Sequence, residues 1–480
     1  MPRPASRRAG RRNAPAYGSE SYGPGPYESD RHESPRYEPD PYRQDPYAPG
    51  PGYGPEPPYQ ATEAFYRPER YDPDEDPGFP GGDDPSWPGN GPGTGGRGGG
   101  GRRRGRGRIR RFFRLRTVRV ILALIAVFCC WVAFSVGQAL TAPGGGSVSS
   151  KLAEWARDHY LGPVVTFGEW VSYQPPKVGG TPGFSLTAPS GAAAKNYKRT
   201  HGFVPNIPLK LTSPAPQPLP GEGVWRVLET VNKEPAIFAT FLRPDKVHTS
   251  YVAGIVSLDQ RLVTFHLHPG AEDPGPGNWK AATWIPPGAR NGLLAAFNGG
   301  FKLDSARGGF YLNGASKGSL VNGAASVVYY RNGTIKIGTW GSEVGMTPNV
   351  VGVRQNLKLI VDHGKVPATV DQNVQGSWGA TLGGGYYVWR SGIGITKGGR
   401  IIFVYGNGLI VRTLADLLRR AGAVEAMQLD INPEWMSFDY YKAAGHPADP
   451  TPKAVLPDQA GSPYRYYSVY SRDFTVVYAR

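Results

Sequence analysis

The chain has 480 residues, a formal net charge of +16 and only two cysteines, Cys129 and Cys130. Because those two are adjacent and sit in one apolar run, the rest of the chain is excluded from holding a disulfide framework or a thiolate metal site. The composition is uneven, so the folded part is smaller than the length suggests.

Residues 1–96 are dominated by Pro, Gly, Tyr, Arg and acidic residues, with almost no Leu, Ile or Val. Such a stretch buries too little apolar surface to offset its ordering entropy, and it is predicted to be a disordered tail. Residues 97–119 then carry eleven Arg and no acid, set among glycines. This run lacks the interleaved aromatic residues that stack on bases, so no nucleic-acid partner is expected. A membrane span directly after it explains the arginines instead. Val120–Leu140 has no charge over twenty-one residues, enough helix for about 30 Å of hydrocarbon. The run lies too deep in the chain for a cleaved signal peptide. Arginines before it and an uncharged flank after it predict a single span with the N-terminus cytoplasmic and the remainder outside.

Within 141–221, Leu152, Trp155, Ala156 and His159 recur at helical spacing, predicting one amphipathic helix near the membrane. Pro, Gly, Ser and Ala then take over from about Gln174 to Gly223, which reads as a linker. From 222 to 480 the pattern is that of strands. Ala236–Leu242, Tyr251–Ser257, Arg261–His268, Gly292–Phe297, Leu357–Val361, Tyr386–Trp389 and Phe474–Tyr478 are candidates. His266 and His268 share a face, and with no third ligand in view they read as an ordinary strand pair. Ser326–Tyr330 and Thr334–Ile337 flank Asn332-Gly333, which predicts a hairpin with a type I′ turn. The three glycines 383–385 read as a turn before a strand. The fold class predicted is α+β, a large mixed sheet with few helices.

The most ordered stretch runs from Arg390 to Trp435. Read by period it is strand, strand (Ile401–Tyr405), helix (413–421), strand (Glu425–Leu429). Leu414, Leu417 and Leu418 share one face of the helix, and Gly422 follows where a C-cap needs no Cβ. The last strand delivers Asp430. In extended chain Asp430, Asn432 and Glu434 project from one face, and that carboxylate–amide–carboxylate set is the best site candidate. No Walker loop, H-E-x-x-H, G-x-S-x-G or dinucleotide fingerprint is present, so no metal or cofactor is expected.

Three pieces carry a resemblance. Phe297-Asn298-Gly299-Gly300-Phe301 follows an apolar strand, Arg390-Ser391-Gly392-Ile393-Gly394-Ile395 comes later, and a helix–strand unit ends at Leu429-Asp430. Their order resembles the phosphodiester glycosidase family over roughly residues 224–480. Two departures stand out: Ile431-Asn432-Pro433-Glu434-Trp435 replaces the family's glycine-rich block, and Lys302 stands where a phenylalanine is common. The resemblance implies a hydrolase that breaks a sugar–phosphate bond through an oxocarbenium-like transition state. It places Arg390 on the phosphate, with Lys302 assisting, and Asp430 or Glu434 as the carboxylate at the anomeric carbon. Asn298, Gly299 and Asn432 are then substrate contacts. The expected partner is an anionic envelope glycan or sugar phosphodiester at a membrane. The alternative is a non-catalytic envelope-glycan binding or scaffold protein that keeps the fold.

Overall fold

The computed structural model describes residues 106–142, 147–187, 207–372, 377–379, 387–443 and 446–480. The expectations for the tail 1–96 and for the glycines 383–385 lie outside them. The chain divides into Met1–Gly99 and Gly100–Arg480, and every described residue belongs to the second unit.

Helix α1 (Arg106–Thr141) contains the apolar run. Its Arg116–Thr141 portion is, among the described residues, one helix long and apolar enough to cross a membrane, and its most apolar window holds no buried residue. Helix α2 (Val148–Asp158) is the amphipathic helix expected near it, capped by Ser147, whose Oγ accepts from Ser150 N at 3.2 Å. Helix α3 (Gly162–Ser172) comes next, where no helix was expected.

The strands begin with β1 (Arg226–Val231), β2 (Glu234–Leu242), β3 (Ala253–Leu258), β4 (Val263–His268) and β5 (Leu293–Asn298). After the short helix α4 (Leu303–Ala306) come β6 (Phe310–Leu312), β7 (Ala315–Lys317), β8 (Ala325–Tyr330), β9 (Ile335–Thr339), β10 (Val350–Gln355) and β11 (Leu359–Val361). Then come β12 (Val388–Thr396), β13 (Ile401–Leu409), helix α5 (Val411–Arg420), β14 (Ala423–Gln428), β15 (Phe438–Lys442), β16 (Thr451–Ala454) and β17 (Phe474–Ala479). They form a seven-stranded sheet β1-β2-β3-β13-β12-β14-β11 and two five-stranded sheets, β7-β6-β10-β8-β9 and β16-β15-β5-β17-β4. The α+β reading holds, with the strands shared among three sheets. The strand pairs within them run antiparallel.

The period-2 pattern of β13 explains the layering. Ile402 and Val404 pack with Leu414, Leu417 and Leu418 of α5, while Ile401, Phe403 and Tyr405 enter the core between sheets. There Phe403 lies 5.0 Å from Phe297 of β5 and 5.4 Å from Phe438 of β15, ring centre to ring centre. Phe403 is wholly buried, and Phe403→Ala should cost about 3–5 kcal/mol, read as a lower urea midpoint at unchanged slope.

Two local expectations change in detail. Helix α5 starts at Val411 rather than Thr413, because Thr413 Oγ1 reaches back to accept from Ile410 N and donate to Ile410 O, both at 2.9 Å. The β8–β9 hairpin forms, but its turn is not type I′. Only Gly333 has positive φ (78°), and Gly333 N donates to Tyr330 O at 2.8 Å. That is a type I turn closed by a left-handed glycine.

His266 and His268 lie on β4 as an ordinary strand pair. His268 Nδ1–H donates to the Ala282 carbonyl at 2.8 Å and its ring stacks on Phe474 at 4.9 Å. Burial holds it neutral, lowering its pKa from 6.5 to about 4. A depressed base contributes stability that is present above pH 6.5 and is lost as pH falls towards 4. The apparent Tm should therefore drop across that window, and His268→Asn, which keeps a donor, should flatten the drop.

Candidate active site

Three remote segments meet around Asp430. The first is the end of β5 with the turn after it, 298–302. The second is the exit from β14, 429–432, and the third is Ser471–Asp473 before β17. Antiparallel pairing brings the first and third together, because Phe474 of β17 sits opposite Asn298 of β5.

Asn298 is buried at that edge. Its Nδ2 donates to Gly299 O at 2.8 Å and to Ser391 Oγ at 3.0 Å, while its Oδ1 accepts from Ser437 N at 3.2 Å. Ser391 Oγ in turn accepts from Asp430 N at 3.1 Å. One short polar chain thus fixes the N-G-G-F block against the aspartate. Gly299 is required here: a Cβ on it would stand 2.0 Å from Asp473 Oδ2.

Asp430 is only 5% exposed. Its Oδ1 accepts from Ile431 N at 2.7 Å and Asn432 N at 2.9 Å, which leaves Oδ2 facing Arg472 Nη2 at 3.4 Å. Burial raises its pKa, against the pull of Arg472 and the two N–H groups. Arg472 is buried too, yet Asp430, Asp273 and Glu154 outweigh that and hold its guanidinium charged. Its Nη2 also donates to Gly300 O at 3.3 Å, its Nε lies 3.9 Å from Asp273 Oδ2, and its plane sits 5.6 Å from the Trp435 ring. A second arginine, Arg354, braces this cluster from below. Its Nε and Nη2 each donate to Asp473 at 3.0 Å, and Nη2 donates to Phe301 O as well.

The other site residues expected from sequence divide. Lys302 reaches the cluster's rim, with Nζ 3.5 Å from Glu154 Oε1 and 3.3 Å from Asp158 Oδ2, both on α2. Asn432 and Glu434 do not extend beside Asp430. Asn432 Oδ1 accepts from Glu434 N at 3.1 Å and its carbonyl accepts from Trp435 N at 3.1 Å, so the chain turns at Pro433. The shared face inferred from a spacing of two is therefore lost. Arg390 is also placed otherwise. Its Nε donates to Leu409 O at 2.9 Å and its Nη1 to Gln428 Oε1 at 2.8 Å, and burial lowers its pKa to about 9. Its neighbour two residues on, Gly392, lies under Leu414 and Leu418 of α5, so Arg390 is on the helix side of the sheet and Ser391 on the site side. Sequence reading missed Arg472, Asp273, Arg354 and Asp473, which belong to no short motif.

Away from the site, Glu343, Asp362, His363 and Glu425 bring ligand-type atoms within 4.8 Å of one another. His363 is largely exposed and pairs with Asp362 at 2.5 Å, so this is a solvated ion-pair cluster on the surface. The cleft lined by Phe184, Tyr251, Asn407 and Asp458 contains none of the Asp430 group.

A buried carboxylate facing a guanidinium, beside an Asn-Gly-Gly turn and a rim lysine, can pair with an anion and offer a carboxylate for acid–base or nucleophilic work. Residues 291–430 match the family model described as phosphodiester glycosidase, so this part of the chain is a phosphodiester glycosidase-like hydrolase domain. The match starts just before β5 and ends on Asp430. Among solved structures, the chain resembles the catalytic domain of zebrafish N-acetylglucosamine-1-phosphodiester alpha-N-acetylglucosaminidase at 15% identity and a TM-score of 0.35, over 60% of this chain and 100% of that one. It also resembles a hypothetical protein from Synechocystis (12% identity, TM-score 0.31, covering 52% of this chain and 64% of that one). A third is an exported protein of Burkholderia pseudomallei (12% identity, TM-score 0.25, covering 49% and 75%). No curated protein matches the chain.

Proposed function

We propose that this protein is a membrane-anchored hydrolase, with its β-rich domain outside the cytoplasm, that cleaves the sugar–phosphate bond of a glycosyl phosphodiester in an envelope glycan or glycoconjugate. The observation that carries this reading is the Asp430–Arg472 pair, held against Asn298 through Ser391. The family match supports the bond cleaved, and the apolar helix with its arginine-rich flank supports the anchor.

In the reaction, the bond between the anomeric carbon and the bridging oxygen breaks and the electron pair leaves with the phosphate. Water supplies hydroxyl to the sugar, and its proton passes to solvent or to the phosphomonoester. Arg472, rather than Arg390, takes the phosphate-holding role, with Lys302 at the rim. Asp430 Oδ2, the carboxylate oxygen that takes no backbone N–H and faces Arg472, would stabilise positive charge on the sugar, attack it, or activate water. Asn298 fixes the turn that seats Gly299 against Asp473 and offers the Gly300 carbonyl to Arg472.

The test is incubation of the full chain with a panel of glycosyl phosphodiesters, following reducing sugar and newly exposed phosphomonoester together. Release of both in equal amounts supports the reading. Binding to envelope glycan without release of either, across the panel, would replace it with the non-catalytic binding reading.

A further inference from the structure

Helix α2 runs back beside the end of α1. Lys151 Nζ donates to the carbonyls of Leu140 (3.1 Å) and Ala142 (2.7 Å), and Trp155 Nε1 donates to Ser135 Oγ at 2.9 Å. His159 Nε2 lies 3.2 Å from the same hydroxyl, and its ring centre lies 5.7 Å from that of Trp131. As residue numbers rise along α2 the partners on α1 fall, so the two helices are antiparallel. The residue beside His159 points to the site instead: Asp158 Oδ2 lies 3.3 Å from Lys302 Nζ, the lysine at the rim. Two consecutive residues of α2 thus set the rim of the site level with Ser135 of the apolar helix.

The chain turns sharply at the same level. Leu161 N donates to Ala156 O at 2.8 Å, and Leu161 O accepts from Val165 N at 3.1 Å, so one residue closes α2 and opens α3. Tyr160 at this corner is 96% exposed. On α3, Leu161, Val164, Gly168 and Val171 fall on one face by helical spacing. Leu161, Val164 and Val171 are exposed, and a Cβ on Gly168 would meet no atom within 4 Å. A bare apolar stripe with an aromatic residue at its head is the pattern of a helix lying in a membrane interface.

We propose that the α2–α3 corner and the apolar stripe of α3 dock on the leaflet at the outer end of α1, and that the candidate site takes a glycosyl phosphodiester whose second ester is a lipid of that leaflet. This rests on the anchored-hydrolase reading above and names its substrate class. The bilayer is the occupant because the stripe continues the exposed apolar surface of α1, to which α2 ties it. The part of α1 ahead of Ser135, Arg116–Phe134, is roughly 28 Å of helix, close to a hydrocarbon core of about 30 Å. Arg116 and Arg119 have side chains long enough to return their charge to the inner headgroups. The bilayer surface then lies near Ser135, at the level of Tyr160 and of Lys302. A lipid-linked sugar carries its phosphate in that headgroup layer, where Lys302 and Arg472 supply the cations. Breaking the bond from the anomeric carbon to the bridging oxygen leaves a lipid phosphate in the leaflet. The sugar takes the hydroxyl of water and departs, and the water's other proton passes to solvent or to the phosphate.

The test uses the full chain in lipid nanodiscs, with Cys129 and Cys130 replaced by serine. A bimane label is placed at Val164→Cys, Val171→Cys or Arg331→Cys, the last on the β8–β9 turn, and quenched by lipids carrying a nitroxide on the acyl chain. Quenching at 164 and 171 should exceed that at 331 at least threefold; equal quenching at all three overturns the docking. Each sugar phosphodiester of the panel is then offered in two forms, a farnesyl ester held in the nanodisc and a methyl ester in water. Wild type should prefer the farnesyl form at least tenfold in kcat/KM, since one surface concentrates enzyme and substrate. Val164→Glu/Val171→Glu should abolish that preference and leave turnover of the methyl form within twofold. Hydrolysis of the methyl form with no preference for the farnesyl form overturns the lipid-linked substrate and leaves the hydrolase standing. No release from either form overturns the hydrolase reading and the substrate with it, and a chain that elutes apart from the nanodiscs overturns the anchor.

Discussion

Asp430→Asn should lower kcat on a cleavable glycosyl phosphodiester by about 10²–10⁴-fold, the usual worth of a positioned acid, base or nucleophile. The substitution is nearly isosteric. The remaining amide oxygen can still accept from Ile431 N and Asn432 N, so the turn after β14 survives. Arg472 keeps Asp273 and Glu154 as counter-charges. Apparent Tm should consequently stay close to wild type, and binding of glucose 1-phosphate should persist. Activity within threefold of wild type would sink Asp430 as the catalytic carboxylate and return attention to Asp273, another carboxylate on the same guanidinium. Glu434→Gln is a control with the opposite expectation: the turn at Pro433 takes residue 434 out of the extended register that would set it beside Asp430, and turnover should change little.

The central unit was legible because each of its parts obeys a local rule. β12, β13, α5 and β14 occur in the order read from apolar period, and Gly422 ends the helix with φ of 94°, as a C-cap glycine does. Asp430 and Asn298 were singled out for the same reason, since each closes an apolar strand, and the structure brings them together through Ser391. Arg390 shows the limit of that logic. Strand parity puts 390 and 391 on opposite faces, and the apolar helix α5 claims the face of residue 390, so the serine beside it is the one at the site. The face that Asn432 and Glu434 were expected to share with Asp430 is lost for another reason: the chain turns at Pro433 where period-2 reasoning assumed extended chain. The cationic half of the site was invisible. Arg472 lies 42 residues from Asp430, and Arg354 lies 119 from Asp473, and no short-range pattern encodes contacts at those separations. Only the pairing of β17 with β5 brings Arg472 to the N-G-G-F turn.

Arg354→Met should produce the largest loss of stability of any single change near the site. Arg354 is 1% exposed, and its guanidinium serves Asp473 twice, Gln355 O at 2.8 Å and Phe301 O. Methionine fills most of the volume but leaves the buried Asp473 charge without its partner and two carbonyls without donors. Breaking a buried pair from one side costs about 3–5 kcal/mol. For a folded region of this size that is an apparent Tm lower by roughly 6–20 °C. Arg354→Lys should recover only part of the loss, because an ammonium cannot supply the paired N–H geometry that Asp473 accepts. The decisive comparison is the double variant Arg354→Met/Asp473→Leu. With the stranded charge gone as well, it should melt above the single variant, even though it lacks more of the native contacts. Should it instead melt lower, by the sum of the two single losses, the pair would be acting through packing alone. The electrostatic bracing of the Gly299–Phe301 turn beneath Arg472 would then have to be abandoned.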